Sequence, residues 1–154
     1  MRIGLISDSH GSRDAIRKAL NAMGPIDLLV HLGDGCDYDL SDCPMVRIWK
    51  LKGNCDWDTE LMREIIEPLE GGVIGMFCHG DRWGVKMGLD RLVYHALDKG
   101  VHVACFGHTH QQYAAYENGI LLINPGSCRG MDAGCAVLDI SRDGTIHHEL
   151  ISMV

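Results

Sequence analysis

The apolar positions of the chain follow two periods, and the balance between them shifts along its length. Arg2 to Ser7 is a short apolar run with the character of a buried strand. Ser12 then offers an N-cap to a segment in which Ala15, Ile16, Ala19, Leu20 and Met23 share one helical face, and Gly24-Pro25 stops it. Asp27 to His31 is again continuously apolar, so the opening unit reads β-α-β, a connection that is right-handed in nearly all cases and makes its strands parallel. Val46 to Leu51 reads as a third strand and Val73 to Cys78 as another, with a short helix expected over Leu61 to Ile66. Lys86 to Lys99 is expected to form an amphipathic helix with Leu89, Leu92, Val93, Ala96 and Leu97 on one side and Gly100 as its stop.

After the strand-like run Val101 to Phe106 the pattern turns to hairpins. Glu117-Asn118-Gly119 separates Gln112–Tyr116 from Ile120–Asn124, and Asp143-Gly144 separates Ala136–Ile140 from Thr145–Ile151. A chain that starts as β-α-β and finishes as a meander predicts an α/β fold of two mixed β-sheets packed face to face with flanking helices. Polar groups at the carboxyl ends of its strands would then converge on one edge.

Composition supports one domain over residues 1–154, since 46% hydrophobic and 23% charged residues with 19 glycines suit a globular fold rich in tight turns. A formal net charge of -7 disfavours a sequence-independent grip on long nucleic acid, but leaves small phosphate esters open if cations reverse the local field. The seven cysteines are odd in number and contain no Cys-x-x-Cys, which suggests neither a disulfide framework nor a zinc ribbon and points to a reducing, cytoplasmic setting. The apolar run at the N-terminus is too short for a signal peptide, and no run approaches the ~20 residues of a membrane helix.

Chemistry enters at the strand ends. Asp8-Ser9-His10, Gly33-Asp34, Gly53-Asn54-Cys55-Asp56, His79-Gly80 and Gly107-His108-Thr109-His110 each follow a strand-like stretch. One such Asp or His alone is ordinary turn chemistry, and Asn54 alone is an Asx-turn. Two imidazoles at i and i+2 after a buried strand are rare as packing, and seven metal-type side chains in five such places point to one site for a pair of divalent cations. If Asp34 bridges, Asp8, His10, Asp34 and His110 serve one metal and Asp34, Asn54, His79 and His108 the other. Two carboxylates against two dications leave positive charge to attract phosphate. The cations would also lower the pKa of a bridging water from about 15.7 toward about 7, giving a hydroxide for in-line attack on phosphorus. The mixed donor set suits manganese, iron, nickel or zinc, and Asp56 and Asp81 are candidates for orienting the imidazoles.

In their order these blocks resemble the calcineurin-like metallophosphoesterase superfamily, and with Asn124-Pro125-Gly126-Ser127 they resemble its compact YfcE-type phosphodiesterases along nearly the whole chain. The resemblance implies an α/β/β/α metallophosphoesterase sandwich, a dinuclear centre often active with manganese, and cleavage of small phosphodiesters, nucleotides among them. Asp34, Asn54, His79 and His108 would position metal and phosphate, and the Asn124–Ser127 turn would shape the pocket without being catalytic. Two positions depart from the wider superfamily. Cys55 stands where many members have a histidine that protonates the leaving oxygen, and Asp81 stands where many have another histidine. A thiol is a poor substitute, so either water assists departure or the expectation narrows to diesters with good leaving groups. Alternatives are a phosphomonoesterase or phosphoprotein phosphatase, and a non-catalytic scaffold like the retromer subunit that shares the fold.

The other candidates read as structural. His31, His95, His102, His147 and His148 are expected in packing or surface roles, and so are Cys36, Cys43, Cys78 and Cys105. Trp57 and Tyr38 are expected to pack under loops rather than stack on a base, and Trp57 and Trp83 leave a homo-oligomer interface open.

Overall fold

The structure is a computed structural model that describes residues 1–35 and 47–154. Cys36, Asp37, Tyr38, Asp39, Asp42, Cys43 and the first residue of the expected third strand, Val46, lie outside the described residues. The elements run β1 (Arg2–Ile6), α1 (Arg13–Met23), β2 (Leu28–His31), β3 (Arg47–Lys50), β4 (Glu64–Pro68), β5 (Ile74–Cys78), α2 (Asp90–Asp98), β6 (Val103–Cys105), β7 (Gln112–Glu117), β8 (Ile120–Pro125), β9 (Gly134–Ile140) and β10 (Ile146–Ser152).

The strands form two mixed five-stranded sheets, in the orders β10-β9-β1-β2-β3 and β4-β5-β6-β8-β7. β1 pairs parallel with β2, with Leu5 opposite Val30, as the β-α-β reading requires. Alternation along each strand sorts its side chains between layers. Ile3, Leu5, Leu28 and Val30 meet Phe77, Val103, Leu121 and Ile123 between the sheets. Ile6 and Leu29 point the other way, onto Ala15, Ile16, Ala19 and Met23 of α1. Met76, Ala104 and Leu122 pack on Leu92, Val93 and Ala96 of α2. The result is an α/β/β/α sandwich, and burial on both faces explains why the inner strands read as continuous apolar runs.

Helix α1 begins where its cap predicts, since the Ser12 hydroxyl accepts the Ala15 N–H at 3.2 Å. The β7–β8 hairpin turns on Asn118 and Gly119, both at positive φ, which matches the twist of the strands they join.

Two expected elements differ. Leu61 to Ile66 does not form a helix: Glu64–Pro68 is strand β4, whose Ile65 lies opposite Phe77 in antiparallel pairing with β5. Adjacent β-branched residues suit that edge position better than a one-turn helix. Helix α2 starts at Asp90 rather than Lys86, because Gly88 at φ +142° cannot continue a helix and Met87 is fully exposed.

Candidate metal centre

All five candidate clusters leave the carboxyl ends of parallel strands, β1, β2 and β3 in one sheet and β5 and β6 in the other. The loops meet over the seam between the sheets. His108 N–H donates to Asp8 Oδ2 across 100 residues of sequence (3.1 Å), and Asp8 N–H donates to Gly33 O (2.9 Å).

The seven side chains come together in overlapping groups. Potential ligand atoms of Asp8, His10 and His110 lie within 4.8 Å of one another, and so do those of Asp34, His79 and His108. Asp34 also falls in a group with His10 and Cys55, so its carboxylate reaches toward both trios. Asn54 Oδ1 lies 3.0 Å from His79 Nε2, which adds the seventh residue to the second trio.

The donor chemistry of this nest fits a cation. His79 Nδ1 lies 2.8 Å from the Leu32 carbonyl, so that nitrogen carries the proton and the neutral ring turns a bare lone pair at Nε2 inward. Asn54 Oδ1, Asp34 Oδ2 at 3.2 Å and His108 Nδ1 at 3.2 Å face that lone pair. Acceptors converging this closely need a proton or a metal among them. Asp8 is arranged alike: the Ser7 hydroxyl and His108 N–H hold Oδ2, while Oδ1 faces His110 Nε2 at 3.1 Å and His10 Nε2 at 3.9 Å.

Without a cation, the neighbours of His79 favour its protonated form. Burial pulls its imidazole pKa down, but the hydrogen bond to Asp34 and the Asp8 and Asp34 charges outweigh burial and raise it. Asp34 responds in the opposite sense: burial raises its carboxyl pKa, and the contacts to His79 and the Cys55 N–H (2.8 Å) bring it well below the carboxylate range. His108 is lowered by burial and by its neighbour His79.

The backbone is bent to make this geometry. Six non-glycine residues have positive φ among the described residues, and five are candidate ligands: Asp8, His10, Asp34, His108 and His110. Each costs on the order of 1–3 kcal/mol, so the surrounding contacts must hold them. The glycines before the ligands have a different task. A Cβ at Gly53 would collide with the Asp34 carboxylate, and one at Gly107 with the Ser7 hydroxyl, so these loops approach more closely than any side chain permits.

Several supporting residues were not singled out by sequence reasoning in the roles they take. Asp56, expected to orient an imidazole, instead accepts the backbone N–H groups of Asp34, Gly35 and Gly53, each at 2.8 Å. An Asp after Gly-Asn is a backbone-binding residue in many turns, which is the signal that could have shown it. His31, expected to be structural, is fully buried and links two candidate loops: Gly33 N–H donates to Nδ1 (3.1 Å), so Nε2 carries the proton and donates to Ser9 Oγ (2.8 Å). Asn124 donates to Gly107 O (3.1 Å) and Thr109 Oγ1 (2.9 Å), and the Ser127 hydroxyl donates to Asp8 O (2.8 Å). The Asn124–Ser127 turn therefore ties together the loops from both sheets.

Other expectations fare unevenly. Cys78 and Cys105 are buried at strand ends. His95 pairs with Glu64 at 2.6 Å and stacks on Trp83, and His102 accepts Ile74 N–H at 2.9 Å. Trp57 does not pack under its loop: it is 89% exposed, because Asp56 turns inward to the backbone cradle and sends the next residue outward. Cys55 is exposed beside the centre, with its thiol pKa raised by burial of the sulfur and by the Asp34 charge.

Nitrogen and oxygen donors on five strand-end loops of a two-sheet sandwich define a metal-binding α/β/β/α protein. The chain belongs to the calcineurin-like phosphoesterase superfamily, whose domain model matches residues 1–143. It is 32% identical to the probable metallophosphoesterase YsnB of Bacillus subtilis over 130 residues, covering 84% of this chain and 76% of that protein. It is 24% identical to the phosphodiesterase MJ0936 of Methanocaldococcus jannaschii, over 91% and 92% of the two chains. In structure it matches Vps29 of Entamoeba histolytica complexed with Zn2+, with a TM-score of 0.76 over the full length of both chains at 19% identity, a likeness of fold.

Proposed function

We propose that this protein is a single-domain, metal-dependent phosphodiesterase that hydrolyses small phosphodiesters. The observation that carries this reading is the position of Asp34, whose carboxylate lies within 4.8 Å of potential ligand atoms of His10 and Cys55 in one group and of His79 and His108 in another. That arrangement supports two divalent cations sharing Asp34, with Asp8, His10 and His110 on one and Asn54, His79 and His108 on the other. When bound, such a pair activates water and holds a phosphoryl oxygen for in-line displacement. Manganese is the favoured metal, with nickel, zinc and iron suited to the same donors.

The chain's own residues supply placement. Asp34 and His79 hold each other in fixed orientation, and the Leu32 carbonyl fixes the His79 tautomer. Asp56 fixes the loops after β2 and β3 and Asn124 the loop after β6, which holds the ligands to the narrow tolerance a displacement requires. Diester specificity follows from Cys55. Its raised pKa makes it a weaker acid than an ordinary thiol, so departure of a basic alkoxide receives little help. The relative named a phosphodiesterase supports the same reading, at low identity.

The test is metal analysis of the purified protein followed by hydrolysis of a chromogenic diester and the matching monoester with manganese, nickel and zinc. Bound metal and turnover of the diester above the monoester are expected. Bound metal without turnover of either would replace the enzyme by a Vps29-like scaffold, and faster monoester turnover would replace it by a phosphomonoesterase.

A further inference from the structure

The turn after β8 lies along the loop that carries Asp8 and His10. Cys128 N–H donates to Ser7 O at 3.0 Å, the Ser127 hydroxyl donates to Asp8 O at 2.8 Å, and Arg129 Nη1 donates to His10 O at 3.4 Å. The turn is itself pinned, since Arg129 N–H donates back to Ser127 Oγ (3.2 Å) and Gly134 N–H to Ser127 O (2.9 Å). Three successive residues thus set the stem of Arg129 against the backbone of the Asp8–His10 loop while the residue stays exposed.

A guanidinium has five N–H donors and remains charged at all working pH. Its contact to His10 O is long and uses one of them, and among the described residues no ion pair joins Arg129 to a carboxylate. In a chain of net charge -7, a cation tethered to a loop of candidate metal ligands has a specific use. Planar fork geometry matches two oxygens of a phosphoryl group, and the contact would strengthen as charge moves onto them during displacement.

We propose that Arg129 is a further catalytic residue of this site, binding the substrate's phosphoryl group bidentately beside His10. This rests on the phosphoester reading above. Arg129 does not replace the missing proton donor, because it does not give up its proton; it holds charge and fixes orientation.

The test is calorimetric titration of inorganic phosphate into the manganese-loaded parent protein and its Arg129→Gln and Arg129→Lys variants, with metal content measured on each. Arg129→Gln is expected to weaken phosphate binding about 10-fold or more at unchanged metal content, and Arg129→Lys to fall between, since it keeps the charge and loses the fork. KM for a diester is expected to rise in the same order. Phosphate binding equal to the parent in Arg129→Gln would overturn the proposal. If that variant loses metal, Arg129→Lys decides: weaker phosphate binding at full metal content supports the bidentate contact, and parental binding rejects it. Arg129-dependent phosphate binding without diester turnover would reject the phosphodiesterase reading alone, whereas diester turnover with phosphate binding indifferent to position 129 would reject this proposal alone.

Discussion

The Asp56 carboxylate accepts the backbone N–H of Asp34 at 2.8 Å, and the same oxygen accepts Gly53 N–H at 2.8 Å, so one buried side chain ties the loop after β2 to the loop after β3. Its other oxygen takes Gly35 N–H. Asp34, which belongs to two of the candidate ligand groups, is therefore aimed by a residue that belongs to none of them. Asp56→Asn keeps the volume but presents an amide NH2 where an acceptor stood, leaving buried donors unsatisfied at about 1–3 kcal/mol each. The expected outcome is a loss of about 3 kcal/mol in urea unfolding of the metal-free protein, with weaker manganese binding. Parental stability and affinity would show that the cradle is dispensable.

His31 makes acid sensitivity predictable. Burial lowers its pKa to about 4; the Asp56 charge pulls the other way, and the His79 charge adds to the lowering. The folded protein thus holds the ring neutral while the unfolded chain protonates it near 6.5. A depressed folded value means the contribution is complete above about pH 6.5 and is lost as pH falls toward about 4, amounting to about 3 kcal/mol. Denaturation of the parent and of His31→Gln between these limits should diverge, with the steeper decline in the parent. A ring that titrates near 6.5 by NMR in the folded protein would contradict this.

The raised His79 pKa predicts that metal binding also strengthens as pH rises, through competition with a proton. Without a cation, burial works against the imidazolium, but the Asp34 hydrogen bond and the Asp8 and Asp34 charges outweigh it and favour proton uptake. A metal must displace that proton. Manganese binding should therefore release protons and tighten as pH rises through neutrality, measurable by calorimetry in buffers of different ionisation enthalpy. Binding that is indifferent to buffer identity would show that His79 is already neutral.

Cys55 is where chemistry and sequence meet most directly. Its thiol sits with His10 and Asp34 at the centre, so a proton donor placed there would be within reach of a departing oxygen. Cys55→His should raise monoester turnover by about 10² and flatten the dependence of rate on leaving-group pKa, with little change for activated diesters. An unchanged dependence would mean that another group already protonates the leaving oxygen.

The strand-end clusters were legible because metal-type polar side chains interrupt apolar runs, where a polar residue has no packing use. The inner strands were legible for the same reason, being apolar on both faces. The segment before β5 was misread because Leu61 to Ile66 is too short to display a period, and only its pairing with β5 makes it a strand. The backbone contacts of Arg129 and Asp56 were hidden for another reason: a charged side chain in a polar loop does not show which distant backbone the fold brings against it. Trp57 was misassigned because aromatic content implies burial on average, and only the inward turn of Asp56 exposes it.

Asn124 gives the sharpest separation of positioning from ligation. It is fully buried, donates to Gly107 O and Thr109 Oγ1 on either side of His108, and accepts Gly126 N–H at 2.8 Å. It thereby holds the left-handed backbone at His108 and His110 that aims both imidazoles inward. Asn124→Leu retains size and removes all three bonds, so the strained loop should relax to ordinary dihedrals. Loss of such outer partners weakens metal affinity by about 10–100-fold. The effect should fall on both proposed metal positions, because His110 stands with Asp8 and His108 with Asp34. Amide exchange across residues 107–111 should quicken at the same time, while exchange across 33–35, held by Asp56, stays slow. Loss of only one metal, or exchange that quickens equally in both loops, would show that Asn124 acts through general stability rather than through the His108–His110 turn.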